Sequence, residues 1–160
     1  MNVGSAAAGG NNSLPDQPRT ARHERRRRAR RRALQALYQW QITRQQAGEI
    51  LRQFRQAQDL SLVDEAFFED LLRGVIREHA DLDRRLQPFL DRPMEQVDIM
   101  EQTVLRLGAW ELLHCPEAPF RVVLNESIDL AHRFGAEQGH AFINGVLDKA
   151  AKIWRPDEAV

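Results

Sequence analysis

Eight arginines crowd residues 22–32 of this chain beside one acidic residue, Glu24. A guanidinium presents a planar fork that holds phosphate bidentately and stacks on bases, so the chemistry on offer is recognition of a polyanion. Arg22, Arg26 and Arg30 recur at i, i+4 and i+8. On a helix that spacing sets like charges against each other, at a few tenths of a kcal/mol per pair, and each cation near the N-terminus opposes the macrodipole by about 0.3–1 kcal/mol. A polyanion reverses both signs, because phosphates are drawn to helix N-termini as well as to arginine. The tract is therefore expected to fray when alone and to contact solvent and its partner rather than the core. A solvated basic tail is the bland alternative. Nucleic acid suits the tract better than an anionic membrane, since a membrane-surface helix needs an apolar face and residues 22–32 offer only Ala29. RNA suits it better than duplex DNA, because no helix-turn-helix pattern is present and arginine-rich segments commonly fold onto RNA.

Catalytic chemistry finds no such concentration. The five histidines, His23, His79, His114, His132 and His140, form no HExxH pair, and a single cysteine gives them no zinc cluster to join. His114 and Cys115 are adjacent, and neighbouring side chains on a helix diverge by about 100°. Cys115 has no activating base in view and reads as an inert small residue before Pro116 and Pro119. The glycines spell neither GxGxxG nor a phosphate-binding P-loop. No enzyme activity, cofactor or metal is expected.

The elements that must position the tract follow from composition and periodicity. Apolar residues make up 42% of 160 positions and charged ones 29%, which suits one packed domain. One cysteine excludes an intramolecular disulfide, and no apolar run approaches a membrane span, so a cytoplasmic location is expected. The formal net charge of zero conceals a division: residues 1–32 carry nine arginines against Asp16 and Glu24, while residues 33–160 carry 14 basic and 21 acidic side chains.

Residues 1–20 mix Gly, Ala, Asn, Ser and Pro without period and read as a flexible tail, residues 21–156 as a helical domain and 157–160 as a second short tail. The first helix begins basic near Ala21 and ends amphipathic, with Leu34, Leu37, Tyr38 and Ile42 on one face. A weaker helix spans Glu49 to Gln58. A capping box at Ser61 to Asp64 opens the clearest stripe, Phe67, Phe68, Leu71, Leu72, Val75 and Ile76. Leu82 to Leu90 makes a short helix, Met94 to Leu113 a long one, Pro119 starts another that ends at Gly135 as a left-handed cap, and Glu137 to Trp154 is the last. The fold is expected to be all-α with about seven helices.

The segments ARRRALQALYQWQ at 29–41, TVLRLGAWELL at 103–113, PFRVVLNESIDLAHRFGAEQGHAFINGVLDKAA at 119–151 and the RP dipeptide at 155–156 resemble the NusB transcription antitermination factors. The likeness covers about residues 25–156. It implies an all-α fold of two small bundles sharing the first helix, no catalysis and no cofactor. Members of that family pair with NusE, a small-subunit ribosomal protein, bind single-stranded boxA RNA and help the transcription elongation complex read through terminators, notably in ribosomal RNA operons. By position, the family's basic motif falls on Arg26, Arg27, Arg28 and Arg30, and its RNA-facing aromatic and amide positions on Gln35, Tyr38, Phe142 and Asn144. Part of the NusE contact region falls on Glu101 and Arg106. Gln138 and Ala141 depart from the family pattern, which has an acidic residue and a lysine there, and the N-terminal extension of about 20 residues is unusual.

Each site has a structural alternative. Tyr38 could be core, Trp40 and Trp110 read as packing, and Asn125 with Glu126 read as polar groups satisfied inside the fold. Phe142 can sit at the edge of a core stripe of Ile143, Val146, Leu147, Ala150 and Trp154. Two other classes stay open: a homodimeric helical assembly module, for which the arginine tract would be dispensable, and a detached N-terminal domain of an RNA cytosine methyltransferase, whose catalysis would need a downstream cofactor-binding α/β domain.

Overall fold

A computed structural model describes residues 19–158, and the regular elements among them are helical. Six α-helices follow one another: α1 Arg19–Thr43, α2 Ala47–Ala57, α3 Glu65–Leu86, α4 Ile99–His114, α5 Phe120–Phe134 and α6 Gly139–Trp154. Short 3-10 turns occupy Gln87–Phe89, Met94–Gln96 and Pro156–Glu158. The short helix expected at Leu82 to Leu90 is the end of α3 running into the first of these turns, because Leu82 and Leu86 continue the buried stripe of Phe68, Leu71, Leu72 and Val75. The tail read at residues 1–20 lies outside the described residues up to position 18; Arg19 and Thr20 already belong to α1.

Caps decide where these helices start and stop. Asp64, not Ser61, caps α3: its carboxylate accepts from the Phe67 N–H at 3.1 Å, while the Ser61 N–H donates to Asp59 at 2.9 Å. Asp98 likewise caps α4 by accepting from Met100 and Glu101, so Met94 precedes that helix rather than beginning it. Gly135 is extended, with φ −98°, and not left-handed. Space is what demands glycine there, since a Cβ would stand 2.8 Å from the Ala131 carbonyl oxygen. Among the described residues the left-handed position belongs to Arg44, with φ 58°, whose N–H donates to the Trp40 carbonyl at 2.8 Å and closes α1.

The helices form two groups, α1 with α2 and α3, and α4 with α5 and α6. Helix α1 belongs to both, because it also runs along α4 and its arginines reach α5. Helix α4 lies between the groups with every residue from Gln102 to Leu112 buried, as a helix with apolar residues on all of its faces requires. Trp110 crosses α3 at Gly74, where any Cβ would overlap the indole.

Polar residues on so enclosed a helix must be satisfied. The Gln102 amide donates to the Met94 and Val97 carbonyls at 2.9 and 2.8 Å. Arg106 holds both Asp83 oxygens at 2.8 and 2.7 Å and donates to Gln41 at 3.1 Å. Glu111 receives Nε and Nη2 of Arg30 at 2.8 and 2.7 Å. At the far end Arg155 donates to the carbonyls of Glu111, Leu112, Cys115 and Ala118, capping α4 with a cation from beyond α6. Cys115 is buried beside it, and burial, followed by the charges of Glu111 and Glu117, pushes its thiol up to about 11.

Breaking a buried ion pair from one side strands a charge, which costs about 3–5 kcal/mol, whereas replacing both partners by apolar groups is often neutral. Arg30→Leu and Glu111→Leu are each expected to cost about 3 kcal/mol in urea unfolding, and the double variant less than the two combined. Single variants within about 0.5 kcal/mol of the parent would refute the assignment.

Candidate nucleic-acid interface

The arginine tract does not fray from the body; it folds onto it. Helix α1 is continuous from Arg19, and the row Arg22, Arg26, Arg30 runs on into Ala33, Leu37 and Trp40. These positions lie on one helical face, so the row whose spacing sets like charges together turns toward the body, from exposed Arg22 through half-buried Arg26 to buried Arg30. Arg30 is only 4% exposed. Burial acts to lower its guanidinium, and the hydrogen bonds and charge of Glu111, with the charge of Glu126, outweigh burial and leave it raised. The expectation that the tract avoids the core is corrected at Ala29 and Arg30, both buried. Arg30 is therefore committed to Glu111 rather than offered to a ligand.

Carboxylates of the acidic body meet three of the others. Arg26 sits over the Phe67 ring, its Cζ 3.8 Å from the centroid, with Asp64 and Glu117 at 3.8 and 3.9 Å. Arg27 grips both oxygens of Glu126 at 3.2 and 3.0 Å, and that hydrogen bond leads in raising its pKa. Arg31 faces Asp129 at 3.6 Å. Arg25 reaches the Val63 carbonyl instead, and its own carbonyl accepts from the Asp64 N–H. Among the described residues Arg22, Arg25, Arg28 and Arg32 have no carboxylate within ion-pair distance.

Arg28 and Arg32 share the outward face with Gln35, at i, i+4 and i+7, and Gln35 is exposed. Tyr38 and Ile42 flank that face at 38% and 61% exposure. Tyr38 is thus not core, and the stripe that buries α1 is Ala29, Ala33, Leu34, Ala36, Leu37 and Trp40 instead. Sequence reasoning passes over Arg32; its place three residues before Gln35 on the same face was the available signal. Trp40 and Trp110 are buried packing. Glu126 is buried against Arg27, while Asn125 beside it is exposed.

Beyond α1 the expected residues divide. Phe142 and Asn144 both belong to α6 but flank its buried Ile143 on opposite sides. Phe142 is half-buried with the Arg92 guanidinium 4.6 Å from its ring centroid, and Asn144 is exposed. Gln138 and Ala141 are exposed near the start of the same helix. Glu101 is half-buried, its carboxyl raised by burial and then by Asp98, against the charge of Arg92. Arg106 is buried and held by Asp83 and Gln41, and it lines an open groove together with Arg44, Gln87, Met94 and Ile99. Among the described residues no three potential metal ligands cluster, and no helix is long and apolar enough to cross a membrane.

The sequence profile of the NusB family matches residues 27–152. The transcription antitermination protein NusB of Xanthomonas axonopodis pv. citri (strain 306) is 52% identical over 134 residues, covering 84% of this chain and 84% of that protein. Its counterpart in Xanthomonas campestris pv. campestris (strain B100) is 51% identical over 134 residues, again covering 84% of each. Among solved structures, T. maritima NusB matches with a TM-score of 0.71 at 28% identity, over 83% of this chain and 94% of that one. A structure of the antitermination factors NusB and NusE in complex with dsRNA shares the fold, with a TM-score of 0.68 at 21% identity over 85% and 99% of the two chains. The matched profile spans both helical groups, from the arginines of α1 to the end of α6, and the chain belongs to the NusB family.

Proposed function

We propose that this chain is a non-catalytic, cytoplasmic transcription antitermination factor that binds boxA-type single-stranded RNA together with the small-subunit ribosomal protein NusE and promotes read-through in ribosomal RNA operons. Family membership supports the antitermination role, since the relatives at 52% identity carry that name. The solved complex of a NusB with NusE and RNA supports the two partners. The observation that carries the RNA reading is the outward face of α1, where Arg28 and Arg32 have no carboxylate among the described residues and stand beside exposed Gln35 and Tyr38. Cations not already neutralised by the protein are the ones that release counterions from a nucleic acid. Residues 21–156 form the RNA-binding domain in this reading.

The NusE contact is assigned to the side of α4 where Glu101 emerges, next to the groove above Arg106. Arg106 itself positions Gln41 and Asp83 rather than touching the partner. An acidic body suits a basic ribosomal protein, and such complementarity acts chiefly on the association rate.

Two measurements test this. Single-strand binding falls with salt at a log–log slope of about −0.7 per neutralised phosphate, so Arg28→Gln with Arg32→Gln is expected to flatten the slope on a boxA-type strand by about 1.4 units at unchanged melting temperature. An unchanged slope would remove this face from the interface, and equal affinity for boxA-type and scrambled strands would remove the sequence preference. For NusE, Glu101→Lys is expected to slow or weaken co-migration on a sizing column at low salt. Failure of the parent pair to co-migrate, or indifference to the reversal, overturns the assigned surface.

A further inference from the structure

The surroundings of Phe142 deepen the RNA reading and depend on it. The ring sits at the edge of α6, half-buried and packed against the core. Arg92, from the turn between α3 and α4, covers it with Cζ 4.6 Å from the ring centroid. One edge of the same guanidinium is held by Asp91, Nε to Oδ1 at 2.8 Å and Nη2 to Oδ2 at 3.5 Å. The group is thus held against the ring and along one edge by a carboxylate, and its side chain remains 38% exposed.

A base that stacked directly on Phe142 would have to displace Arg92, giving up the cation–π contact and the Asp91 fork together. A base that stacked on Arg92 would displace nothing, because guanidinium planes stack on nucleobases as aromatic rings do. We propose that the outer face of the Arg92 guanidinium is the platform that receives a base of single-stranded RNA at this end of the molecule, with Phe142 as its support and Asp91 as its brace. Pinning removes most of the rotamer entropy an exposed arginine would otherwise lose on binding. Lys149 stands on the flank of α6 that carries Phe142, two turns on, and adds a cation there for the adjoining phosphate. Its charge is felt at Asp91, whose carboxyl is held below the usual range first by the Arg92 hydrogen bond and more weakly by Lys149.

The test uses the full chain and a fluorescently labelled boxA-type single strand, titrated across a range of salt. Arg92→Ala is expected to weaken binding about tenfold. Arg92→Lys, which keeps the charge and loses the plane, should weaken it about fivefold with the salt slope of the parent. Phe142→Leu keeps apolar volume in the core, so its melting temperature should stay close to the parent while affinity falls because the guanidinium is no longer held flat. The double variant Arg92→Ala, Phe142→Leu should be no weaker than Arg92→Ala alone, since both act through one platform. If Arg92→Ala stays within about twofold while Phe142→Leu is strongly impaired, the ring itself is the platform and the proposal fails. If Arg92→Lys binds like the parent, only charge matters and it fails again. Failure of the parent chain to bind the strand, both alone and with NusE present, would overturn the RNA reading as well, an outcome distinct from a binding parent with unimpaired Arg92 variants.

Discussion

The bidentate pair between Arg30 and Glu111 ties the arginine-rich helix to the most deeply enclosed one, and much of the remaining architecture follows from having to satisfy it. A guanidinium taken out of water needs a carboxylate in good geometry, and a buried carboxylate needs a cation. The pair therefore sets both the depth of α1 and its rotation. Once the row Arg22, Arg26, Arg30 turns inward, Arg27 and Arg31 fall beside Glu126 and Asp129 of α5, and Arg26 comes to rest on Phe67 of α3. The acidic body thus serves as the polyanion that lets an arginine tract be a helix. Apolar isosteres can match a buried ion pair in stability, and what the pair contributes is registry: α1 cannot slide by a turn along α4 without separating two buried charges.

That registry sorts chemically identical side chains into different tasks. Half of the arginines from 22 to 32 are matched by carboxylates within the chain, and the outward face keeps its charge for something else. The electrostatic footprint is narrower than the tract suggests. Its position is fixed by the phase of the helix, so the aromatic and amide side chains that follow on α1 stand in line with the uncompensated cations rather than around the helix from them.

Much of this was legible in the sequence, for definite reasons. The stripe from Phe67 to Ile76 has period 3.6 and packs as that period demands, and the overall helical content follows from similar stripes. The special character of residues 22–32 is plain from charge alone. What sequence reasoning missed is partner identity: a run of arginines shows that carboxylates or phosphates are required and not which, since Glu111, Glu126 and Asp129 lie far along the chain. One clue was present. Extending the buried row Trp40, Leu37, Ala33 backwards by helical steps reaches Arg30 and then Arg26, which marks those two as inward, while Arg22 on the same row is exposed. Tyr38 was open to two readings, RNA-facing or core, because an aromatic beside a leucine stripe fits either until the centre of the stripe is known; the stripe is centred one position further round and leaves it exposed. The cap of α3 moved by one turn because Asp64 competes with Ser61 as the acceptor, and Gly135 was needed for clearance rather than for its backbone freedom.

Arg155 carries a consequence for how the chain is made. It gathers the carbonyls of Glu111, Leu112, Cys115 and Ala118, at and just beyond the end of α4, from 37 to 44 residues downstream. During vectorial synthesis Glu111 and Cys115 can bond the nearby Cys115 and Ala118 N–H groups at once, but α5 and α6 must both emerge before Arg155 can close the clasp over all four carbonyls. The first three helices can associate early, since their contacts are closer in sequence. The second group, by contrast, gains the Arg155 clasp only once the residue that follows α6 has been made, so its end of α4 is the part of the fold most dependent on the completed chain.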